Sequence, residues 1–595
     1  MIILGLNAYH GDSSACIVVD GKLIAAVEEE RFTRIKHWAG LPVQAINYCL
    51  QEAGVTLGDV DHIAINRDPK ANFMKKALFA FYKRPSLRLV TDRLKNAGKV
   101  KDIKEELIVS IQGSRVRGPE SKAQVHNVEH HIAHLASSFF VSPFEEAVVV
   151  SVDGFGDFVG AMWGVAKGNK IEVKHRTFFP HSLGLFYLAF TQYLGFCKYG
   201  DEYKVMGLAA YGEPEYMKEM RQIVKITDDN FNLNLDYFIH HSEGVTMTWE
   251  NGEPKMGPVF SKKLEEFLGP ARKNGKEIEK RHKNLAASLQ RRYEEVLFNI
   301  LNRVYKKTDC PNLVLSGGCA MNSVANGKIF QNTPFRKVYI QPAAGDAGGS
   351  IGAAYYVWNQ VLNKPRSFVL EKPYLGSDFS DDEVSNHLSA INCQLKENNC
   401  SVQHSRDVVT LCRTTAQHIA EGKVIGWFQG RMEWGPRALG NRSIIGDPRR
   451  SDMKNILNLK IKRRESFRPF APSIHLDAVG EYFETSYPDP FMLKVYKIKP
   501  EKREIIPAVT HVDGTGRLQT VRKEDNPIYW QLIEEFRKIT GIPVLLNTSF
   551  NENEPIVCKP EEALDCFLRT KMDVLVMGSY FVERADNRLE IIVNR

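Results

Sequence analysis

Two histidines four residues apart on a helix place their side chains about 5–6 Å from each other. His130 and His134 in "HNVEHHIAHLASSFF" have that spacing, which suits chelation of a metal ion. His126 and His131 fall in the same stretch, and spacing alone does not choose among the four. Hard or borderline ions also want carboxylates. Asp153 ends the β-branched run "AVVVSVDG", where Gly154 allows a sharp turn. Asp346 lies in "PAAGDAGGSIGAAYYVW", ahead of an Ala/Gly-rich helix. Ordinary roles stay open beside ligation: an N-cap worth about 1 kcal/mol for Asp346, a turn for Asp153, and exposed polar positions for the histidines.

A second chemistry is phosphate binding. In "LSGGCAMN", Ser316, Gly317, Gly318 and Asn322 follow a strand, and glycines there free backbone N–H groups to meet a phosphate or an adenosine edge. "AGDAGGSIG", with Gly345, is a glycine-rich turn of the same kind, and two such turns on one cleft suggest a nucleotide; a tight turn is the plain alternative. Between Arg431 and Arg468 stand eleven Lys or Arg against four Asp or Glu, among Gly, Pro and aromatic residues. Guanidinium forks bind phosphate bidentately, so Arg431, Arg437 and Arg442, with Lys462, Arg464 and Arg468, suit a polyphosphate or two phosphoanions. Scattered surface ion pairs are the bland reading. Arg517 in "HVDGTGRLQTV" and Ser549 and Asn551 in "NTSFNENEPIV" could line the same cleft or stabilise turns.

These residues need a scaffold. The 595-residue chain exceeds one hydrophobic core and implies two to four domains. Its 43% hydrophobic and 25% charged residues, with a mean hydropathy of −0.29, describe a folded, water-exposed chain. A net charge of +8 favours anionic ligands without demanding nucleic acid. The start, "MIILGLNAYHGDSSACIVVDG", lacks a basic leader and is broken by polar residues, so neither signal peptide nor membrane span is expected there. Ten scattered cysteines with no C-x-x-C argue against zinc ribbons and a disulfide framework, and suit a reducing cytoplasm.

"IILGLN", "ACIVVD" and "KLIAAVEEE" predict a β-meander with a hairpin turn at Asp20-Gly21. "EEAVVVSVDGFGD" and "PNLVLSGGCAMN" share one design, a β-branched strand running into a glycine-rich turn, as in open α/β sheets that bind ligands at strand ends. Leu285, Leu289, Val296, Ile300 and Val304 predict a scaffold helix over residues 278–305. Asp68 to Gly118 reads as a basic helical insert with a solvated face. The first domain is expected over 1–362, a connection over 363–411, and a second α/β domain over 412–595 with strands in "KVIGWFQG", "IPVLLNTSF" and "DVLVMGSYFVE".

Together, "LGLNAYHGDSSACIVVDGKLIAAVEEERFTRIKH", "HHIAHLASSFF", "SVDGFGD", "KVMGLAAYG", "LSGGCAMN", "AGDAGGSIGAA", "RMEWGPRALGNRSI" and "FRPFAP" resemble, over nearly the whole chain, the O-carbamoyltransferases of the nodulation, cephem and aminoglycoside type. The resemblance implies an N-terminal domain of the actin, sugar-kinase and heat-shock-ATPase class, similar to tRNA threonylcarbamoyl transferases, and a YrdC-like C-terminal domain. It implies that carbamoyl phosphate and Mg-ATP give carbamoyl-adenylate in the C-terminal domain, and that the carbamoyl group then passes to a hydroxyl of a small-molecule acceptor. It implies His130, His134, Asp153 and Asp346 as ligands of iron(II), which their types do not separate from zinc or manganese. "SGGCAMN" and "AGDAGG" would hold the nucleotide. Lys36 would meet the carbonyl oxygen, with His10 as a positioning group or base and Asp12 as a rival base. Arg431, Arg437, Arg442, Lys462, Arg464 and Arg468 match the basic set of the C-terminal domain, and Ser549 and Asn551 match its "TSFN". A threonylcarbamoyl transferase acting on tRNA and a non-catalytic ATP-dependent binding protein of the same superfamily are the alternatives.

Overall fold

A computed structural model describes residues 1–83, 103–112, 122–228, 230–245 and 247–585. The chain forms two compact α/β units, Met1–Glu371 and Lys372–Arg595.

The first unit opens with the expected meander, β1 (Ile2–Asn7), β2 (Ser14–Val19) and β3 (Lys22–Glu28). Asp20 and Gly21 both have positive φ, 49° and 81°, as a two-residue hairpin turn of the favoured twist requires. Strands β4 (His62–Ile65) and β5 (Gln124–Asn127) add in parallel, giving the order β3-β2-β1-β4-β5.

The same plan recurs. β6 (Glu146–Gly156), β7 (Val159–Lys167) and β8 (Lys170–Phe178) form an antiparallel meander. Two small ribbons follow, β9 (Val224–Ile226) with β10 (Phe231–Leu233) and β11 (Met247–Glu250) with β12 (Glu253–Met256). Then β13 (Asn312–Ser316) and β14 (Lys337–Tyr339) pair in parallel, completing a sheet ordered β14-β13-β6-β7-β8. Read from the meander edge, both sheets run third, second, first, fourth, fifth strand. This duplicated α/β architecture agrees with the actin and sugar-kinase class. The expected scaffold helix spans Lys280–Thr308 and buries Leu285, Leu289, Val296 and Val304.

Helix His130–Phe139 and helix Gly349–Tyr355 lie against each other, and the latter also packs on β1. The contact is possible because position 352 is glycine: a Cβ there would collide with the Ala133 carbonyl. Backbone thus meets backbone between the helix that carries His130 and His134 and the helix that follows the Asp346 turn.

The second unit is built on a nine-stranded sheet of β15 (Cys400–His404), β16 (Ile425–Phe428), β17 (Arg442–Gly446), β18 (Ala471–His475), β19 (Lys494–Lys497), β20 (Thr515–Val521), β21 (Val544–Ser549), β22 (Val574–Met577) and β23 (Tyr580–Arg584). Its order is β15-β23-β22-β16-β17-β21-β18-β20-β19. Central strands such as β16, β17 and β22 are buried throughout, and helices Val408–Ala420 and Pro527–Thr540 cover one face.

The expectation of a connection over 363–411 needs correction. Residues 381–390 and 392–397 are helical, and β15 pairs with β23 along its length, so this stretch belongs to the second unit from Lys372 onward. β15 is an edge strand with four of its five residues exposed, and this polar surface is what imitates a linker in the sequence. Of the insert, the described parts are helices Phe73–Lys83 and Ile103–Gln112; residues 84–102 and 113–121 lie outside the described set. Among the described residues no helix is long and apolar enough to cross a membrane.

Candidate functional site

His130, His134, Asp153 and Asp346 come together, each buried, with one ligand atom apiece inside a 4.8 Å span. His130 Nε2 lies 3.1 Å from Asp153 Oδ2, 3.5 Å from Asp346 Oδ1 and 3.0 Å from His134 Nε2. His134 Nε2 lies 3.7 Å and 3.4 Å from the same carboxylate oxygens. Ligands held about 2.1 Å from one ion stand roughly 3.0–3.4 Å apart, between octahedral and tetrahedral edges. The five separations, 3.0–3.7 Å, lie at or slightly beyond that range. Asp346 Oδ1 and His134 Nδ1 are buried and form no hydrogen bond among the described residues. Asp346 Oδ1 faces both imidazole Nε2 atoms, so an ion there would complete what the protein leaves unbonded.

Charge agrees. Burial opposes a proton on His134, but the carboxylates of Asp153 and Asp346 beside it outweigh burial and raise its pKa to about 9. Burial would push both carboxyls up, yet His130 and His134 hold Asp153, and His10 chiefly holds Asp346, below the usual range. Two anions facing two imidazoles form a site that a divalent cation neutralises. His131 points away: Nδ1 meets Ser151 Oγ at 2.9 Å and Nε2 the Val159 carbonyl at 2.9 Å. Burial, then the neighbouring His130 and His134, lower its pKa to about 3. His126 pairs instead with His62 at 3.1 Å.

The supports are local. Because β13 runs parallel to β6 with Ser316 opposite Ser151, the turn after β13 reaches the end of β6. There the Gly318 N–H donates to Asp153 Oδ1 at 2.8 Å and orients the carboxylate. Gly317 has φ of 87° and no room for a Cβ beside the Val152 carbonyl. Ser316 is buried, and its hydroxyl reaches back to the Val150 carbonyl at 3.4 Å. Asn322 caps the helix Ser323–Gly327 and bonds Gln290 through both polar ends of its amide. Gly345 precedes the 3-10 turn that carries Asp346. Of the expected nucleotide set, Gly317, Gly318 and Gly345 therefore sit beside the ligands, while Ser316 and Asn322 are committed to the scaffold.

His10 Nδ1 lies 2.7 Å from Asp346 Oδ2, and its ring centroid lies 5.6 Å from that of His130. Asp12 pairs with His37 at 2.7 Å between Oδ1 and Nδ1. Lys36 is exposed on the loop that carries His37. His37, Arg67 and Tyr199 were not anticipated. Arg67 donates to the Tyr9 carbonyl at 3.5 Å, and its charge bears on both His10 and Asp157. The dipeptide Lys36-His37 was the available signal for His37; nothing in the sequence singles out Arg67.

In the second unit the basic residues separate into two groups. Arg442 is fully buried. Its guanidinium donates to the carbonyls of Gln429 at 2.6 Å, Asn441 at 3.0 Å and Ser377 at 3.0 Å, and stacks 3.7 Å from the Phe428 ring centroid. Arg431 donates to the Gly376 and Leu375 carbonyls at 3.1 and 3.0 Å. Lys462 is buried, and its Nζ knots Ser549 and Asn551 together at 3.3 Å to Oγ and 2.6 Å to Oδ1. Glu433 shapes the loop, accepting from the N–H groups of Leu439, Asn441 and Arg442 at 2.7–3.1 Å.

Arg437, Arg464, Arg468 and Arg517 remain, and they converge. Burial first, then the charges of Arg437, Arg464 and Arg468, pull Arg517 well below the ordinary guanidinium range. Like charges crowded this way are relieved by an anion, and several forks suit phosphate.

Comparison with known sequences decides the family. The carbamoyltransferase N-terminus matches residues 2–355 and the carbamoyltransferase C-terminus matches residues 416–584. The chain belongs to the carbamoyltransferase family. Within it, an uncharacterized protein of Synechocystis sp. is 41% identical over 98% of this chain and 96% of its own length. The nodulation protein NolNO of Sinorhizobium fredii is 39% identical over 97% of this chain and 80% of that protein. NolO of Bradyrhizobium diazoefficiens is 38% identical over 78% and 80%. For a carbamoyltransferase, the two clusters correspond to the two matched regions, the His/Asp cluster in the N-terminal one and the arginine cluster in the C-terminal one.

Proposed function

We propose that the chain is an O-carbamoyltransferase that in the second unit hydrolyses carbamoyl phosphate to carbamate and phosphate, joins the carbamate to the α-phosphate of ATP with release of pyrophosphate to give carbamoyl-adenylate, and passes the carbamoyl group to an alcohol of a small molecule in the first. The observation that carries this reading is the convergence of His130, His134, Asp153 and Asp346 into one buried shell. Such a shell would hold a divalent ion, iron(II) by family expectation, with zinc and manganese matching the same ligands. When bound, the ion supplies Lewis acidity that neutralises charge developing on a phosphate leaving group.

The chain's own groups do the rest. Asp153, fixed by the Gly318 N–H, keeps its other oxygen on the ligand side. His10, held on Asp346, stands beside the shell and positions the group to be transferred. In the second unit, Arg437, Arg464, Arg468 and Arg517 bind phosphate oxygens, while Arg431, Arg442 and the Lys462, Ser549 and Asn551 knot keep that loop in shape. The acceptor belongs to the class of hydroxylated metabolites.

The test is pyrophosphate exchange. Incubation with ATP, labelled pyrophosphate and carbamoyl phosphate should return label to ATP; its absence in folded, metal-loaded protein would refute adenylate formation. A binding protein without catalysis would show no exchange.

A further inference from the structure

In the turn between β1 and β2 and the segment that follows β3, a second polar cluster appears: Asp12, Glu30 and His37 each bring a ligand-type atom into one small volume. It is built on strained backbone. Tyr9, Asp12 and His37 have φ of 57°, 56° and 57°, a left-handed conformation that costs a residue with a Cβ about 1–2 kcal/mol. Strain of this kind persists only where surrounding bonds over-determine it. Here they do. The loop over residues 9–13 is bonded to the loop over 37–40 through Tyr9 N–H to Gly40 O at 3.0 Å, Asp12 N–H to His37 O at 3.3 Å and Ser13 N–H to Trp38 O at 2.9 Å. Asn7 Nδ2 ties the carbonyls of Gly11 and Asp12 from beneath, at 3.0 and 2.8 Å.

The side chains follow. His37 Nδ1 lies 2.7 Å from Asp12 Oδ1, and the His37 N–H donates to Glu30 Oε2 at 2.7 Å. Glu30 is itself held by Arg31 at 2.7 Å. Tyr199 stacks edge-on to His37 with centroids 5.3 Å apart, and Gly200 has no Cβ because the imidazole fills that place. The Tyr199 phenol closes over Gly11. Tyr199, in ring contact with His37, lies within reach of the charges of Asp12, Asp346 and Asp153, so the pair borders the His/Asp shell without belonging to it. Asp12 and His37 keep 31% and 29% of their side-chain surface exposed, enough to meet a ligand.

We propose that Asp12 and His37 work as one unit in carbamoyl transfer, with Asp12 taking the proton of the acceptor hydroxyl and His37 positioning the Asp12 carboxylate. The inference rests on the function proposed above. In the step, the acceptor oxygen bonds to the carbamoyl carbon, the bond from that carbon to the adenylate phosphate oxygen breaks, AMP leaves with the electron pair, and the hydroxyl proton moves to Asp12. His10 is a poorer base because its Nδ1 is tied to Asp346. His37 does not take the proton itself. Burial disfavours its charge, but Asp12 and then Glu30 outweigh burial, with Lys36 opposing, and raise its pKa to about 9. It is an imidazolium that donates to Asp12 Oδ1 and leaves Oδ2 for the acceptor. The other titratable groups facing the pair are Tyr199, raised above its ordinary value by burial and surrounding carboxylates, Glu202, raised by burial to about 7, and Glu28, raised by burial. An aspartate accepting a substrate hydroxyl proton has ample chemical precedent, with general-base contributions of about 10²–10⁴-fold.

The experiment uses full-length, metal-loaded protein with water as the acceptor, following AMP release from ATP and carbamoyl phosphate against pH. Asp12→Asn should lower AMP release by about 100-fold or more, with metal content and pyrophosphate exchange at wild-type levels. His37→Ala should lower it about tenfold and move the acidic limb of the profile to higher pH, because loss of a neighbouring cation raises a carboxyl pKa. His37→Asn, which keeps an N–H near the Nδ1 position but no charge, should restore the rate while leaving the limb where His37→Ala puts it. Unchanged AMP release in Asp12→Asn, or an unmoved limb in His37→Ala, overturns the pairing while wild-type exchange leaves the parent reading standing. Absent exchange in the wild type overturns the parent reading and the pair with it.

Discussion

The two polar clusters of this chain pose opposite charge problems. In the first unit, two carboxylates and two imidazoles converge with a buried, unbonded oxygen, and the missing charge is positive. In the second, burial and the charges of Arg437, Arg464 and Arg468 depress Arg517 although Asp489 opposes them, and an anion would relieve the crowding. Neither arrangement is a self-sufficient ion pair. A satisfied buried charge in the same molecule looks different: Arg442 spends its donors on three carbonyls and one ring. The difference marks a binding site by what the protein leaves uncompensated.

The largest effect that tests this contrast is removal of a ligand. His134→Ala should abolish stoichiometric metal, read by elemental analysis, and lower carbamoyl transfer by about 10³-fold or more, on the scale of a lost transition-state charge partner. Pyrophosphate exchange, assigned to the other cluster, should stay within about twofold. Joint loss of both activities in folded protein would break the division of labour. Next comes Arg442→Met, which leaves several buried carbonyls without donors; a loss of roughly 3–5 kcal/mol is expected, read by urea unfolding. A stable Arg442→Met protein with weakened carbamoyl phosphate binding would return Arg442 to the anion site.

How much of this was legible in the sequence differs between the clusters for a physical reason. Metal ligation demands few residue types at fixed geometry. His130 and His134 carry their spacing in the sequence, and strand ends announce Asp153. Guanidinium groups have no such exclusivity, since the same fork that holds phosphate also caps backbone carbonyls. A run of arginines therefore mixed Arg437, Arg464 and Arg468, which converge, with Arg431 and Arg442, which brace the loop. The meander and its Asp20-Gly21 turn followed from local alternation and turn chemistry. β15 escaped because an edge strand exposes most of its side chains, and its partner β23 lies 180 residues away along the chain at Tyr580 opposite His404 to Arg584 opposite Cys400. His37 and Arg67 act through contacts between distant segments, which spacing cannot encode.

A smaller effect should come from the arginine cluster itself. Arg517→Ala should reduce pyrophosphate exchange about 10- to 100-fold, the worth of one to two charge-assisted hydrogen bonds, with metal content unchanged. Because Arg517 is repelled by three neighbours, the variant should also be no less stable than the parent; marked destabilisation would show that Arg517 is a brace like Arg442.

The smallest effect separates acid loss of the fold from acid loss of the His/Asp shell. His240 is fully buried in the first unit, with Nε2 2.8 Å from the Pro180 carbonyl, and burial lowers its pKa to about 4. Its folded value lies below the unfolded one, so between about pH 6.5 and 4 the unfolded chain binds the extra proton and stability falls as pH falls. At pH 5.5 the loss is on the order of 1 kcal/mol. Metal retention depends instead on the shell's imidazoles being neutral ligands. His240→Gln should therefore flatten the unfolding free energy over that window without touching the pH dependence of metal retention. If metal retention shifted with it, the shell and the surrounding fold would titrate as one unit, and the distinction between an uncompensated site and a satisfied core histidine would not hold in this half of the chain.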